Sequence, residues 1–298
     1  MEGKAMAKRL AGILAPICTP FVNQEVSIEN VRNNMHKYRT TPLAGYFALG
    51  SNGENRSLTE KEKLEVLETV VSEKAEEQVV LAGAGFESTR RTIAFSKKAA
   101  GLGADYVTIV TPSYFKKRFT DEALVRYYTD VADAIPIPVV VYNAPGFTGM
   151  TVSTGVIGKI SQHPNVAGMK DTSKGNMSGY LEAAGEDFDV LSGTVSTLFE
   201  SMALGATGGV VSLANAFPEL CCRLYEAIAS DKMDDARELH YRLFRLNRSV
   251  SGSFGVAGVK YAMELGGFYG GDPRLPLLPI TADGKESIRK AVRAAGLI

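Results

Sequence analysis

Eight short β-rich apolar runs, each followed by a stretch whose apolar residues recur at helical spacing, limit what this chain can fold into more than any other feature. They span Gly12 to Ile17, Gly45 to Leu49, Val79 to Ala82, Tyr106 to Val110, Pro138 to Tyr142, Val166 to Lys170, Asp189 to Leu191 and Gly208 to Ser212. Strands apolar along their whole length are buried on both faces, as in a parallel sheet covered by helices. Helices are expected from Ile28, Thr89, Asp121, Val152, Met177 and Thr197. Ser57-Leu58-Thr59-Glu60 reads as a capping box opening a further helix, with Leu64, Leu67, Val70 and Val71 at helical spacing. The repeat predicts a (β/α)8 TIM barrel of the α/β class. An open doubly wound sheet is the competing architecture, and it would carry a glycine-rich phosphate turn after the first strand. This chain has Ala15-Pro16-Ile17-Cys18-Thr19-Pro20 there, and Gly83-Ala84-Gly85-Phe86-Glu87-Ser88 lacks the last glycine of the dinucleotide fingerprint. No nucleotide cofactor is expected.

From about Pro218 the pattern turns wholly helical, with Leu220 to Ser230, Met233 to Ser249 and Gly258 to Glu264 as candidates. The chain is therefore divided into a barrel, residues 1–217, and a C-terminal helical extension, residues 218–298, packed on it. A length of 298 residues with 45% hydrophobic content allows a large core. Lysine and arginine total 33, as do aspartate and glutamate, so no net field draws the protein to nucleic acid or to an anionic membrane. No apolar run reaches the roughly 18 residues of a membrane span, and Met1 to Arg9 with the short run Ala11 to Ile17 does not read as a secretory leader. Cys18, Cys221 and Cys222 make neither an even framework nor a C-x-x-C pair, which points to a reducing, cytoplasmic compartment.

Barrel enzymes place their chemistry at the C-terminal ends of the strands. Those ends carry Gly50-Ser51-Asn52-Gly53-Glu54, Thr111-Pro112-Ser113-Tyr114, Tyr142-Asn143, Lys170-Asp171-Thr172, Ser192-Gly193-Thr194 and Ser212-Leu213-Ala214-Asn215. His36, His163 and His240 fall in helices or at helix ends, so neither a metal site nor a Ser-His-Asp triad is expected. Hydroxyls, amides, phenols and one lysine suit carbonyl chemistry instead. A strand-end lysine most often snorkels into water. Walled in by apolar groups, it loses its proton and becomes a nucleophile towards a 2-oxo acid, forming an imine that serves as an electron sink. Tyr142 on the adjacent strand could move the proton, with Ser51 and Tyr114 relaying it to solvent. The Gly50-Ser51-Asn52-Gly53 turn could gather backbone N–H groups around a carboxylate.

With these residues together the chain resembles the dihydrodipicolinate synthase / N-acetylneuraminate lyase family of class I aldolases. The resemblance runs from Ile13-Leu14-Ala15-Pro16-Ile17-Cys18-Thr19-Pro20-Phe21 to Gly270-Gly271-Asp272-Pro273-Arg274-Leu275-Pro276-Leu277. It is most specific at Gly50 to Glu54, at Tyr142-Asn143-Ala144-Pro145 and at Gly168 to Asp171. It implies a cofactor-free enzyme in which Lys170 forms the Schiff base and Tyr142 shuttles protons. It further implies that Ser51 and Tyr114 form the relay, Tyr114 reaching into a neighbouring subunit's site, and that the assembly is a homotetramer built as a dimer of dimers. Gly50, Gly193 and Val211, at the ends of the second, seventh and eighth strands, complete the expected substrate contacts.

Synthases of the family carry an arginine shortly after Y-N-x-P to grip the aldehyde's carboxylate, where this chain has Phe147. A phenyl group cannot make the bidentate contact of a guanidinium. Thr194-Val195-Ser196 offers none of the acidic pairing that a long polyol needs. Asn52, the Ser161-Gln162-His163-Pro164-Asn165 run and Phe268-Tyr269-Gly270-Gly271 are most similar to 4-hydroxy-2-oxoglutarate aldolase, and imply that Asn52 and Thr172 touch the glyoxylate-derived end. The expected activity is therefore cleavage of 4-hydroxy-2-oxoglutarate to pyruvate and glyoxylate. Condensation of pyruvate with aspartate semialdehyde, or dehydration of a sugar acid, is the alternative within enzymes. A non-catalytic 2-oxo acid sensor is the alternative outside them, though binding alone would not require a nucleophile beside a proton shuttle.

Overall fold

A computed structural model describes residues 9–298; Met1 to Lys8 of the polar N-terminus lie outside them. The first strand, β1 (Gly12–Ala15), leads into a small antiparallel hairpin of β2 (Phe21–Val22) and β3 (Glu25–Val26). Seven further strands follow: β4 (Gly45–Ala48), β5 (Val79–Gly83), β6 (Tyr106–Val110), β7 (Val139–Asn143), β8 (Val166–Asp171), β9 (Asp189–Ser192) and β10 (Gly208–Val210). With β1 they close a parallel barrel in the order β1-β10-β9-β8-β7-β6-β5-β4. The eight expected strands are all present, with ends displaced by at most two residues. The hairpin is an addition.

Helices α1 (Ile28–Tyr38), α2 (Glu60–Glu73), α3 (Thr89–Gly101), α4 (Asp121–Ala134), α5 (Pro145–Thr148), α6 (Thr154–Ile160), α7 (Met177–Ala183), α8 (Leu198–Ala203) and α9 (Pro218–Ala229) connect the strands and follow the last of them. The capping box at α2 lies two residues beyond the expected one. Thr59 caps the helix and Glu62 reaches back to the Thr59 N–H at 2.7 Å, because Ser57 is still within a 3₁₀ turn, Asn55–Ser57. Then come α10 (Met233–Asn247), α11 (Ser253–Leu265) and α12 (Ala282–Ala294), the last unforeseen. Among the described residues no helix is long and apolar enough to cross a membrane.

Alternation along the strands sorts two cores. Leu14, Phe47, Leu81, Val140, Leu191 and Val210 point into the barrel, while Ile13, Tyr46, Val80, Val141 and Val190 point out under the helices, the period-two rule of a pleated strand. The extension shares the outer core through Leu243, Val259 and Ile288. Its connecting strap after α11 runs back to the barrel mouth. There the Arg274 guanidinium bonds the Glu62 carboxylate at 2.6 Å and holds it down to about 2.

Candidate active site

Lys170 sits near the end of β8, and its position depends on a register shift. Val139 of β7 pairs with Val166, but Val140 pairs with Gly168, so Ala167 is an extra residue, and from there Tyr142 stands beside Lys170 and Asn143 beside Asp171. Paired residues face the same side of a parallel sheet, so the bulge turns Lys170 into the barrel with Tyr142. The Lys170 side chain is buried, its Nζ 4.3 Å from the centroid of the Tyr142 ring and 4.9 Å from that of Phe47. It makes no hydrogen bond or ion pair with any described residue. Burial alone pulls its pKa down to about 7, because an ammonium with no anion beside it is poorly solvated there.

The Tyr142 hydroxyl lies 3.4 Å from Ser51 Oγ; burial pushes its pKa up and the Ser51 contact opposes that. The turn bearing Ser51 is strained at both ends, with Leu49 at φ 61° and Glu54 at φ 52°, a left-handed conformation that costs a non-glycine residue free energy and that packing must hold in place. Thr19 Oγ1 donates to the Gly53 carbonyl at 2.7 Å and Asn55 Nδ2 to the Leu49 carbonyl at 2.6 Å. A Cβ on Gly50 would stand 2.7 Å from the Phe47 ring, so only glycine lets that ring lie between the turn and Lys170. Glu54 closes the turn: its N–H donates to the Ser51 carbonyl at 3.1 Å, and its carboxylate takes Lys260 Nζ at 2.6 Å and the Arg274 N–H at 2.9 Å. A cavity of about 290 Å³ opens here, with Ser51, Tyr142, Thr108, Arg56, Phe147 and Leu277 among its walls.

The other expected residues are placed less uniformly. Asn52 donates to Ser212 Oγ at 2.8 Å. The Thr172 hydroxyl donates to the Asn143 carbonyl at 2.9 Å, leaving a lone pair free to accept. Gly193 packs so closely that a Cβ would meet Thr172 Cγ2 at 2.2 Å, and Val211 is buried with its N–H on the Leu14 carbonyl. None of these four walls the cavity. Tyr114 is 80% exposed, stacked edge-on with Phe115 at 4.9 Å, and does not reach Tyr142 within one protomer. His36 pairs with Glu73 and His163 with Asp133, while His240 lies among Phe199, Tyr241 and Phe244.

Sequence reasoning gave no part to Phe47, although its inward parity on β4 could have placed it. Asn143 is a second omission. Its Nδ2 bonds Asp171 Oδ1 at 2.7 Å and its Oδ1 takes the Val152 N–H at 3.0 Å, so it fixes the ends of β7 and β8 from the helix side. The Glu54–Lys260 pair had no local signal.

The fold agrees with what comparison finds. The Dihydrodipicolinate synthetase family profile matches residues 9–295. The chain belongs to that family. It is a carbon–carbon lyase of the class I aldolase type, as the sequence resemblance implied. The 4-hydroxy-tetrahydrodipicolinate synthase of Geobacter metallireducens is 34% identical over 289 residues, covering 96% of this chain and 99% of that one. That of Bartonella bacilliformis is 36% identical over 294 residues, with 97% and 99% covered. Among solved structures, dihydrodipicolinate synthase from Thermotoga maritima superposes with a TM-score of 0.93 at 28% identity, covering 98% of this chain and all of the other. These family members carry the synthase name, which the sequence reading had placed second to the 4-hydroxy-2-oxoglutarate aldolase.

Proposed function

We propose that this enzyme joins pyruvate to a short aldehyde bearing a carboxylate, through an imine on Lys170, in the manner of a 4-hydroxy-tetrahydrodipicolinate synthase acting on aspartate semialdehyde. The observation that carries the reading is the buried Lys170 amine, with no counter-ion, its pKa near 7, against the ring of Tyr142. The neutral amine adds to the pyruvate carbonyl carbon, water leaves, and the cationic imine makes the methyl protons acidic. Tyr142 takes one of them as its own hydroxyl proton passes to Ser51, and the relay returns it in the next step. The enamine carbon attacks the aldehyde, the nascent alkoxide receives the proton, and water hydrolyses the imine to free the product. Gly50, Asn52, Thr172, Gly193 and Val211 are assigned to substrate contact on the resemblance alone.

The names of the relatives support the condensing direction. Phe147 on the cavity wall supports a second reading, the cleavage of 4-hydroxy-2-oxoglutarate, because it stands where the family resemblance expects an arginine to grip the aldehyde's carboxylate. Measuring kcat/KM for both reactions on one preparation separates them. Condensation is expected to exceed cleavage, and a cleavage value of order 10⁴ M⁻¹s⁻¹ with negligible condensation would reverse the order.

The exposed Tyr114 and Phe115 pair supports assembly with a second copy that would carry Tyr114 to its partner's relay, within a homotetramer. Three free buried cysteines support a reducing compartment, the cytoplasm. The barrel of 1–217 and the extension of 218–298 act as one catalytic unit on this reading, which the outer core they share among the described residues supports.

A further inference from the structure

Among the described residues Arg56 is the one basic side chain lining the active-site cavity, entering from the 3₁₀ turn Asn55–Ser57 just past the strained turn. It is exposed, and it makes no hydrogen bond or ion pair with any described residue. The neighbouring charges are positive as well. Lys63 and Arg91 both stand over the Phe86 ring, at 5.0 and 4.7 Å, and burial followed by the charges of Arg56 and Arg91 pulls the Lys63 pKa down. The acids of the neighbourhood are committed elsewhere. Glu54 holds Lys260, Glu60 holds Lys98 at 2.5 Å, and Glu87 accepts the N–H groups of Ser113 and Tyr114 at 3.1 and 3.0 Å. A guanidinium with no ion-pair partner thus opens on the cavity that contains Ser51 and Tyr142, while Phe147 stands on that wall where the family resemblance expects an arginine.

We propose that Arg56 holds the carboxylate of the aldehyde substrate and so sets the enzyme's preference for an acidic aldehyde. This rests on the imine reading of Lys170 given above. A guanidinium grips a carboxylate through two parallel N–H groups, a contact that discriminates strongly against an uncharged analogue. At about 290 Å³ the cavity lies at the lower limit for small-molecule sites and takes one short acid. Arg56 is a specificity residue on this account. It touches the substrate's far end and takes no part in proton transfer.

The test is Arg56→Gln, with Arg56→Lys as the conservative variant, assayed on the full chain with pyruvate and either aspartate semialdehyde, glyoxylate or the uncharged butanal. Borohydride trapping of pyruvate on each protein serves as the control for Lys170. In Arg56→Gln the ratio of kcat/KM for acidic over uncharged aldehyde is expected to fall about 10- to 100-fold, mainly through KM, with part of the loss restored by lysine. Equal effects on both aldehyde types, or no effect, would overturn the proposal while leaving the imine reading standing. So would a wild type that traps pyruvate but prefers butanal. A wild type that traps no pyruvate would overturn the imine reading and this proposal with it.

Discussion

The barrel mouth and the junction between barrel and extension each bury a lysine, and the two differ in what faces the amine. Lys170 has rings around it and no anion. Lys260, on α11, has the Glu54 carboxylate at 2.6 Å, the Asp272 carbonyl at 3.1 Å and the Phe21 ring at 4.4 Å. Burial is nearly the same, with the Lys260 and Glu54 side chains 0% and 1% exposed and Lys170 at 4%. The partner therefore decides the role. An unpaired buried ammonium raises the free energy of the fold and gives it a reactive amine. A paired one ties two segments together, here the extension to the turn that carries Ser51.

The sharpest way to break the comparison is to make one substitution at both sites. Lys170→Met is expected to lower turnover by at least about 10³-fold and abolish borohydride trapping, yet to stabilise the fold by roughly 2–4 kcal/mol at pH 7 in urea unfolding. The sign follows from the folded pKa of about 7 lying below the ordinary value of 10.5. The wild-type penalty is fully present below pH 7 and relaxes as pH rises towards 10.5, so the stability advantage of the variant should shrink over that window. Lys260→Met is expected to do the reverse, destabilising by about 3–5 kcal/mol because it strands a buried carboxylate, with Glu54→Leu in the same chain recovering most of the loss. Equal signs for the two single variants would refute the contrast.

A smaller effect sharpens the barrel side. Tyr142→Phe keeps the ring and removes the hydroxyl, so trapping of pyruvate should persist while kcat falls about 10²- to 10³-fold. The pH profile of trapping should rise to a plateau above about 7 in both forms, since burial and not the phenol sets the amine's pKa. A shifted profile in the variant would give the hydroxyl a part in lowering that pKa.

The difference between the two lysines also marks what could be read from the sequence. Lys170 was legible because it ends an apolar run, and the strands were legible because apolar runs of strand length recur. Lys260 sits in a helix whose sequence gives no hint of a carboxylate in a distant turn, and only the closed fold brings Glu54 to it. Phe47 reads as ordinary core until parity sends it inward. Arg56 follows the motif and looks like solvated surface until the cavity is seen beside it. The hairpin β2–β3 was missed because each strand is two residues long, too short for any periodicity. The Ala167 bulge was hidden because register belongs to a pair of strands and not to either one.

That bulge has an arithmetic consequence. Side chains on a strand alternate between two destinations, so what faces the barrel interior past Val166 is settled by whether the strand runs on regularly or spends one residue unpaired. Were Ala167 paired in regular register with Val140 instead of bulged, Met169 would take the place beside Tyr142 while Lys170 turned towards the helices. The enzyme's nucleophile is thus specified by a lysine codon together with a strand register. A chain that retains the Gly-Met-Lys-Asp letters but pairs these two strands without the bulge would keep the appearance of the motif and present a thioether beside the tyrosine.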